Sequence, residues 1–219
     1  VQKGEVKCRA VWGYPATVTF GEAVFALPLI RGYQKHGSPM AYGFETGTGG
    51  HRRLLSTVKG NYYLGVDFKA FDKSVPVWLI EEAFNILEYN IDFVHYEDHG
   101  TARVSSMMYM FKRLKDYFIR TKIRLCNGER YLKKAGIASG SYFTQLIGSI
   151  CNYVLLTYAA MKCGVTMNNL IVLGDDSVAG TTRPFFPSDV AEVLEPMGFY
   201  INVEKSGFSR YLSDLTFLG

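Results

Sequence analysis

Apolar residues fall along this chain in two rhythms, and the switches between them mark out its elements. YYLGVDF (Tyr62–Phe68) is a short, nearly continuous apolar run, the signature of a buried strand. Ser74 and Pro76 then predict a helix start, with Ser74 as cap and Pro76 in the first turn. Ile80, Ala83, Phe84 and Leu87 recur at helical spacing and give that helix an apolar face. Val104, Met107, Met108, Phe111, Leu114 and Phe118 predict a second helix. Ile123–Leu132 holds Asn127-Gly128 between two strand-like runs, a hairpin signal. Phe143, Leu146, Ile147, Ile150 and Val154 predict a long helix, and LIVLGDDSVAG (Leu170–Gly180) a hairpin turning at two aspartates. Ser188–Met197 reads as a short helix capped by Ser188, and Phe199–Val203 as a further strand. The order is α+β, with helices packed on a mostly antiparallel sheet.

Composition sets the scale. The 219 residues fit one ordinary domain or part of a larger one, and 48% hydrophobic residues suffice for a substantial core. No apolar run approaches the roughly 18–20 residues needed to span a membrane. No signal peptide is evident, and the chain starts in a charged stretch without methionine, so it reads as part of a longer protein. Cys8, Cys126, Cys151 and Cys163 lie far apart without a CxxC pair, which points to reduced thiols and away from zinc or a disulfide framework. The net charge of +4 is mild, so its distribution matters more than its total.

The adjacent carboxylates of Asp175 and Asp176 repel each other, and their apolar flank strengthens the repulsion. Taken alone, Gly174-Asp175-Asp176 is more often a surface turn than a site. A hard divalent cation would offset the repulsion, given a further carboxylate on a neighbouring strand. VDFKAFDKS offers Asp67, at the end of the first strand, and Asp72, five residues on. An aspartate at the end of a buried strand is costly without a partner or a metal. Asp67 could instead cap the turn, and Asp72 pair with Lys69 or Lys73. A third segment, SGSYFTQLIGSICN (Ser139–Asn152), leads from a small, flexible turn into a helix bearing Thr144, Ser149 and Asn152. Backbone amides at such a turn can meet phosphates, although Ser139 could equally be a plain cap and Thr144 and Asn152 buried polar groups.

The order of these segments resembles motifs A, B and C of viral RNA-dependent RNA polymerases: Asp67-x4-Asp72, then Ser139-Gly140-x3-Thr144 with Asn152, then Gly174-Asp175-Asp176. The wording around the second motif, together with GDDS, is most similar to polymerases of partitivirus- and picobirnavirus-type double-stranded RNA viruses. KGEVKCRAVWG resembles the basic finger motif F, with Lys3, Lys7 and Arg9 as candidate phosphate ligands. LEPMGFYINVEKSG resembles motif D with Lys205 at its lysine, and LTFLG the start of motif E.

The resemblance implies a right-hand polymerase palm with partial fingers. Residues 1–61 and 91–138 would be finger-like, 62–90 and 139–219 palm, and the thumb and N-terminal fingers absent. It implies nucleotidyl transfer by two Mg2+ ions, with Mn2+ as a substitute. Asp67 and Asp175 would bridge the ions, with Asp176 auxiliary. Lys7 and Arg9 would hold the triphosphate, Asp72 would sit near the ribose 2′-hydroxyl, and Lys205 would act as general acid. Many positive-strand polymerases carry an asparagine four residues after the motif B threonine; here that position is Gly148, leaving Ser149 or Asn152 to sense the ribose. RNA template, nascent RNA and NTPs are the implied partners, capsid protein is a further candidate, and virion or host cytoplasm the implied location.

Charge distribution suits such a channel. Lys112, Arg113, Lys115, Arg120, Lys122, Arg124, Arg130, Lys133 and Lys134 face only Asp116 and Glu129 within their stretch, with Tyr109, Tyr117 and Tyr131 interleaved. A basic strip with aromatics can track an RNA backbone, although for any single residue a solvated helix face is the plainer account. Two other readings stay open: a reverse transcriptase, against which Leu173-Gly174 argues because an aromatic usually stands before the paired aspartates, and a non-catalytic RNA-binding remnant.

Overall fold

The computed structural model describes residues 13–45, 47 and 49–218. Two helices, α1 (Ala16–His36) and α2 (Gly50–Thr57), precede strand β1 (Tyr62–Gly65). A single helical turn, α3 (Phe71–Ser74), leads into α4 (Val77–Tyr89), and α5 (Val104–Ile119) follows. The β2 (Lys122–Arg124)–β3 (Arg130–Leu132) ribbon precedes the long helix α6 (Phe143–Lys162). Strands β4 (Met167–Leu173) and β5 (Asp176–Thr181), helix α7 (Pro187–Leu194) and strand β6 (Gly207–Ser209) complete the order.

The main sheet runs β4-β5-β1-β6, antiparallel at every junction, so the expected α+β arrangement is what forms. Helices cover it because each carries one apolar face. Leu79, Ile80, Ala83, Phe84 and Leu87 of α4 are buried, as are Phe111, Leu114, Phe118 and Ile119 of α5. Phe84 sits among Phe111, Phe118 and Phe143 with ring centroids 5.2–6.1 Å apart and steep interplanar angles, the edge-on packing that aromatic quadrupoles favour. Phe25 of α1 joins this cluster edge-on against Phe111. Among the described residues no helix is long and apolar enough to cross a membrane.

Three local expectations need correction. Ser74 does not cap α4; it ends α3, donating its hydroxyl to the Phe71 carbonyl, and Pro76 occupies the cap position with extended backbone. Ser188 does not cap α7 either. Pro187 takes the first helical position, and the Asp189 carboxylate accepts the Phe186 N–H at 2.9 Å. Phe199–Val203 is not a strand: only Ile201 bridges, to Phe68, because the Asn202 carbonyl is spent on a turn, accepting the N–H groups of Lys205 and Ser206. The strand beside β1 is β6 instead.

Candidate active site

The register of β1 and β5 brings the acidic motifs together. Gly65 faces Val178, and the Ser177 hydroxyl donates to the Val66 carbonyl at 3.3 Å. Continuing that antiparallel register leads to Asp67 on one side and Asp176 on the other. Asp67 lies half-buried just past β1, while Asp175 and Asp176 are exposed at the turn between β4 and β5. The Asp176 carboxyl is held above its ordinary range, first because surrounding protein desolvates it, then by the charges of Asp175 and Asp67. Asp176 thus stands within reach of both other charges. Among the described residues, no three His, Cys, Asp or Glu side chains close into a metal-holding group.

Helix α6 carries this turn. Gln145, Gly148, Ser149 and Asn152 share one helical face by their spacing. The Gly174 N–H donates to the Ser149 hydroxyl at 2.8 Å, and that hydroxyl donates to the Gln145 carbonyl at 2.6 Å. The Asn152 amide donates to the carbonyls of Gly174 (3.1 Å) and Asp176 (3.3 Å). Gly174 has φ +62°, and a Cβ there would meet the Gln145 carboxamide. Ser149 and Asn152 are fully buried in this role. The structure thus places both beneath the aspartate turn, the Ser149 hydroxyl and the Asn152 amide group bonded at its backbone, while the Asn152 Oδ1 is buried without a hydrogen-bond partner.

The turn before α6 is fixed by its own hydroxyls. Thr144 donates its hydroxyl to the Ala138 carbonyl at 2.6 Å, and the Phe143 N–H donates to the Ser141 hydroxyl at 3.0 Å. Ser139 and Gly140 are exposed, with Gly140 at φ +98°. A residue that the sequence reading passed over, Glu22 of α1, reaches this turn: its carboxylate accepts the Tyr142 N–H at 3.0 Å. Glu22 is fully buried, and burial pushes its carboxyl up. The signal was present as a lone acid inside the apolar run FGEAVF.

Asp72 is exposed on α3, and its carbonyl accepts the Ile137 N–H at 2.6 Å, which ties it to the approach to α6. Lys205 is exposed on the Asn202–Ser206 turn, beside Asp67. Lys3, Lys7 and Arg9 lie outside the described residues. In the basic strip, Lys112, Arg113, Arg120, Lys122, Arg124, Arg130 and Lys134 are exposed. Lys133 must be withdrawn from it. Its amine is buried, donates to the Gly136 carbonyl, lies 5.0 Å from the Phe118 ring centre, and is pushed down to about 8 by burial. Lys115 is turned inward to the Asn85 carboxamide at 2.8 Å.

A family model described as viral RNA-dependent RNA polymerase matches residues 3–219. The RNA-directed RNA polymerase of Cryptosporidium parvum virus 1 (strain KSU-1) is 30% identical over 227 residues, covering 97% of this chain and 40% of the relative. That of Atkinsonella hypoxylon virus (isolate 2H) is 23% identical over 264 residues, covering 100% of this chain and 40% of the relative. Among solved structures, an insertion-loop deletion mutant of a human picobirnavirus RNA-dependent RNA polymerase superposes with a TM-score of 0.76 at 24% identity, over 97% of this chain and 40% of that one. The chain thus spans about 40% of the length of these relatives.

Proposed function

Because this chain belongs to the viral RNA-dependent RNA polymerase family, we propose that it carries the nucleotidyl-transfer centre of an RNA-directed RNA polymerase, which extends an RNA 3′ end with NTPs for viral replication and transcription. The α+β palm fold agrees with this membership. In this reading residues 62–90 and 139–219 are palm, and the stretches before 62 and from 91 to 138 are finger-like. The observation that carries the reading is the meeting of Asp67, Asp175 and Asp176 at one end of the sheet, with Asp176 feeling both other charges.

Carboxylate oxygens suit Mg2+ or Mn2+, and an open group of acids suits an ion that keeps waters and is completed by substrate phosphates. Asp67 and Asp175 would hold two ions, with Asp176 assisting. When bound, the metals would supply charge stabilisation to the attacking 3′ oxygen and the departing pyrophosphate. The protein's own groups do the rest. Lys7 and Arg9 neutralise the triphosphate. The Ser139-Gly140 turn, kept in shape by Thr144, presents backbone to the nucleotide. Asp72 accepts a hydrogen bond from the ribose 2′-hydroxyl. Lys205 donates a proton to the leaving pyrophosphate. Ser149 and Asn152 act on the Asp175–Asp176 turn and not on the ribose.

The test is primer extension by the polymerase polypeptide that carries this chain, with rNTPs and dNTPs compared. Asp67→Asn and Asp175→Asn each abolish incorporation while circular dichroism and melting show an intact fold. Near-normal turnover in either variant overturns the metal assignment. Preference for dNTPs overturns the choice of substrate.

A further inference from the structure

The turn bearing Lys205 is joined to Asp67 through one side chain. The Asp67 N–H donates to the Ser206 hydroxyl at 3.0 Å, and that hydroxyl donates to the Asn202 carbonyl at 2.9 Å. The Asn202 N–H returns to the Asp67 carbonyl at 2.8 Å. The same Asn202 carbonyl accepts the N–H groups of Lys205 (3.1 Å) and Ser206 (2.9 Å). Both backbone polar groups of Asp67 are thus engaged by the Asn202–Ser206 turn. A hydroxyl is the smallest group that can accept from Asp67 and donate to Asn202 at once.

We propose that Ser206 is a positioning residue that sets the reach of Lys205 over the reaction centre by latching its turn to Asp67. This rests on the reading of Lys205 as proton donor. Lys205 is a flexible side chain on an exposed turn, and proton transfer demands heavy-atom approach within about 2.6–3.2 Å. Without the latch the turn keeps the Asn202–Asp67 bond and its pinned flanks, Ile201 bridged to Phe68 and Gly207 paired with Gly65, but the Lys205–Ser206 end loses its side-chain tie to Asp67, and the ammonium shifts with it. Ser177, bonded to Val66, supports the neighbouring chain independently of Ser206, so loss of the latch moves Lys205 more than it moves Asp67.

The experiment measures single-nucleotide incorporation by the polymerase polypeptide carrying this chain, for Ser206→Ala and for the near-isosteric pair Ser206→Thr and Ser206→Val. The Thr/Val pair separates the hydroxyl from the shape even where one variant folds poorly. Ser206→Ala and Ser206→Val lower kcat roughly ten- to a hundredfold, the scale of a 1 Å misplacement, with little change in the KM for NTP. Ser206→Thr keeps most of the rate. In a Lys205→Ala background the Ser206→Val penalty vanishes, because no proton donor is left to misplace, and the solvent isotope effect is unchanged by the second substitution. A Ser206→Val enzyme as fast as Ser206→Thr overturns the latch. A penalty that persists in the Lys205→Ala background also overturns it and makes Ser206 merely structural. Lys205→Ala at wild-type rate instead overturns the proton-donor reading, and the latch with it.

Discussion

Gly148 backs directly onto Gly174: a Cβ on Gly148 would lie 3.4 Å from the Gly174 Cα. At this position, four places after Thr144, α6 meets the turn carrying Asp175 and Asp176, and a side chain larger than a methyl would have to push into that turn. Gly148→Ala adds a contact that is only just accommodated and gains helix propensity of about 1 kcal/mol, so its melting temperature stays near that of the parent. Gly148→Val overpacks the junction and costs roughly 1–3 kcal/mol, with a matching loss of nucleotide incorporation. Thermal melts alongside primer extension check both. A fully active, equally stable Gly148→Val enzyme would show that the helix does not seat the turn.

Ser149 and Asn152 give a sharper test of the same junction. Ser149→Ala leaves the Gly174 N–H without its acceptor, and Asn152→Ala leaves the Gly174 and Asp176 carbonyls without their donor. Each substitution costs roughly 1–3 kcal/mol of stability and lowers kcat by loosening the aspartate turn. The ratio of kcat/KM for matched rNTP and dNTP stays at the parent value, since neither side chain faces the sugar. A fall in that ratio for Asn152→Ala would restore the ribose-sensing role.

The sequence was most legible where one period dominates. Helices α4, α5 and α6 announce themselves because each buries one face, and Asn127-Gly128 marks the β2–β3 turn. Helix α1 escaped because its apolar residues run all round: Phe25, Ala26 and Leu29 are buried while Phe20 is 74% exposed. The motif order brought together the ends of two strands that do pair, β1 and β5, with Asp67 just past one and Asp175 and Asp176 at the turn into the other. It could not say what packs against a helix face, so Ser149 and Asn152 read as substrate groups, whereas the bonds they make run to the Gly174 and Asp176 backbone. Glu22 showed only as a lone acid in an apolar run, with nothing to say what it bonds. Its partner, the Tyr142 N–H, lies 120 residues away and leaves no mark in local spacing.

Glu22 carries a pH signature. Its carboxyl is raised above its ordinary 4.5 chiefly by burial, although the Tyr142 N–H pulls the other way. Above pH 4.5 the folded state therefore binds more protons at this site than the unfolded state, and stability falls as pH rises toward and through the raised folded value. Glu22→Gln keeps an acceptor for Tyr142 and removes the titration. The variant melts close to the parent in acid and gains on it as pH climbs from 4.5. Tyr14, raised to about 12, does not titrate in that window. Parallel melting curves at all pH values would show that Glu22 is not ionising in the fold.

The β2–β3 ribbon stores a like-charge pair. Arg124 lies directly opposite Arg130, and Lys122 shares their face through the two-residue strand period. Like charges directly opposite are destabilising by a few tenths of a kcal/mol or more, an arrangement that a polyanion relieves. Arg124→Ala leaves the fold as stable as before, or slightly more so. It weakens RNA binding and lowers the slope of log K against log salt by about 0.7 for each lost contact to a single strand. An unchanged salt slope in the Arg124→Ala, Arg130→Ala double variant removes the ribbon from the RNA path.

Asp72 is the acid of the Asp67-x4-Asp72 segment that we propose for the sugar and not for the metals. It sits on α3, a helical turn beyond the chain segment that carries Asp67, and its side chain is exposed while its carbonyl is fixed by the Ile137 N–H at 2.6 Å. Its backbone is therefore held by the segment leading into α6, without a bond to Ser149 or Asn152. A carboxylate that accepts the 2′-hydroxyl of an rNTP finds no donor in a dNTP, and once closure over the substrate excludes water the lost bond costs roughly 1–3 kcal/mol. Asp72→Ala lowers the kcat/KM ratio of rNTP to dNTP by about five- to 150-fold on that scale, mainly through slower use of the rNTP. Asp72→Asn retains an acceptor oxygen and keeps part of the preference. Both variants retain metal-dependent incorporation, which separates them from Asp67→Asn. An unchanged ratio in Asp72→Ala would return Asp72 to a surface role beside Lys69 or Lys73.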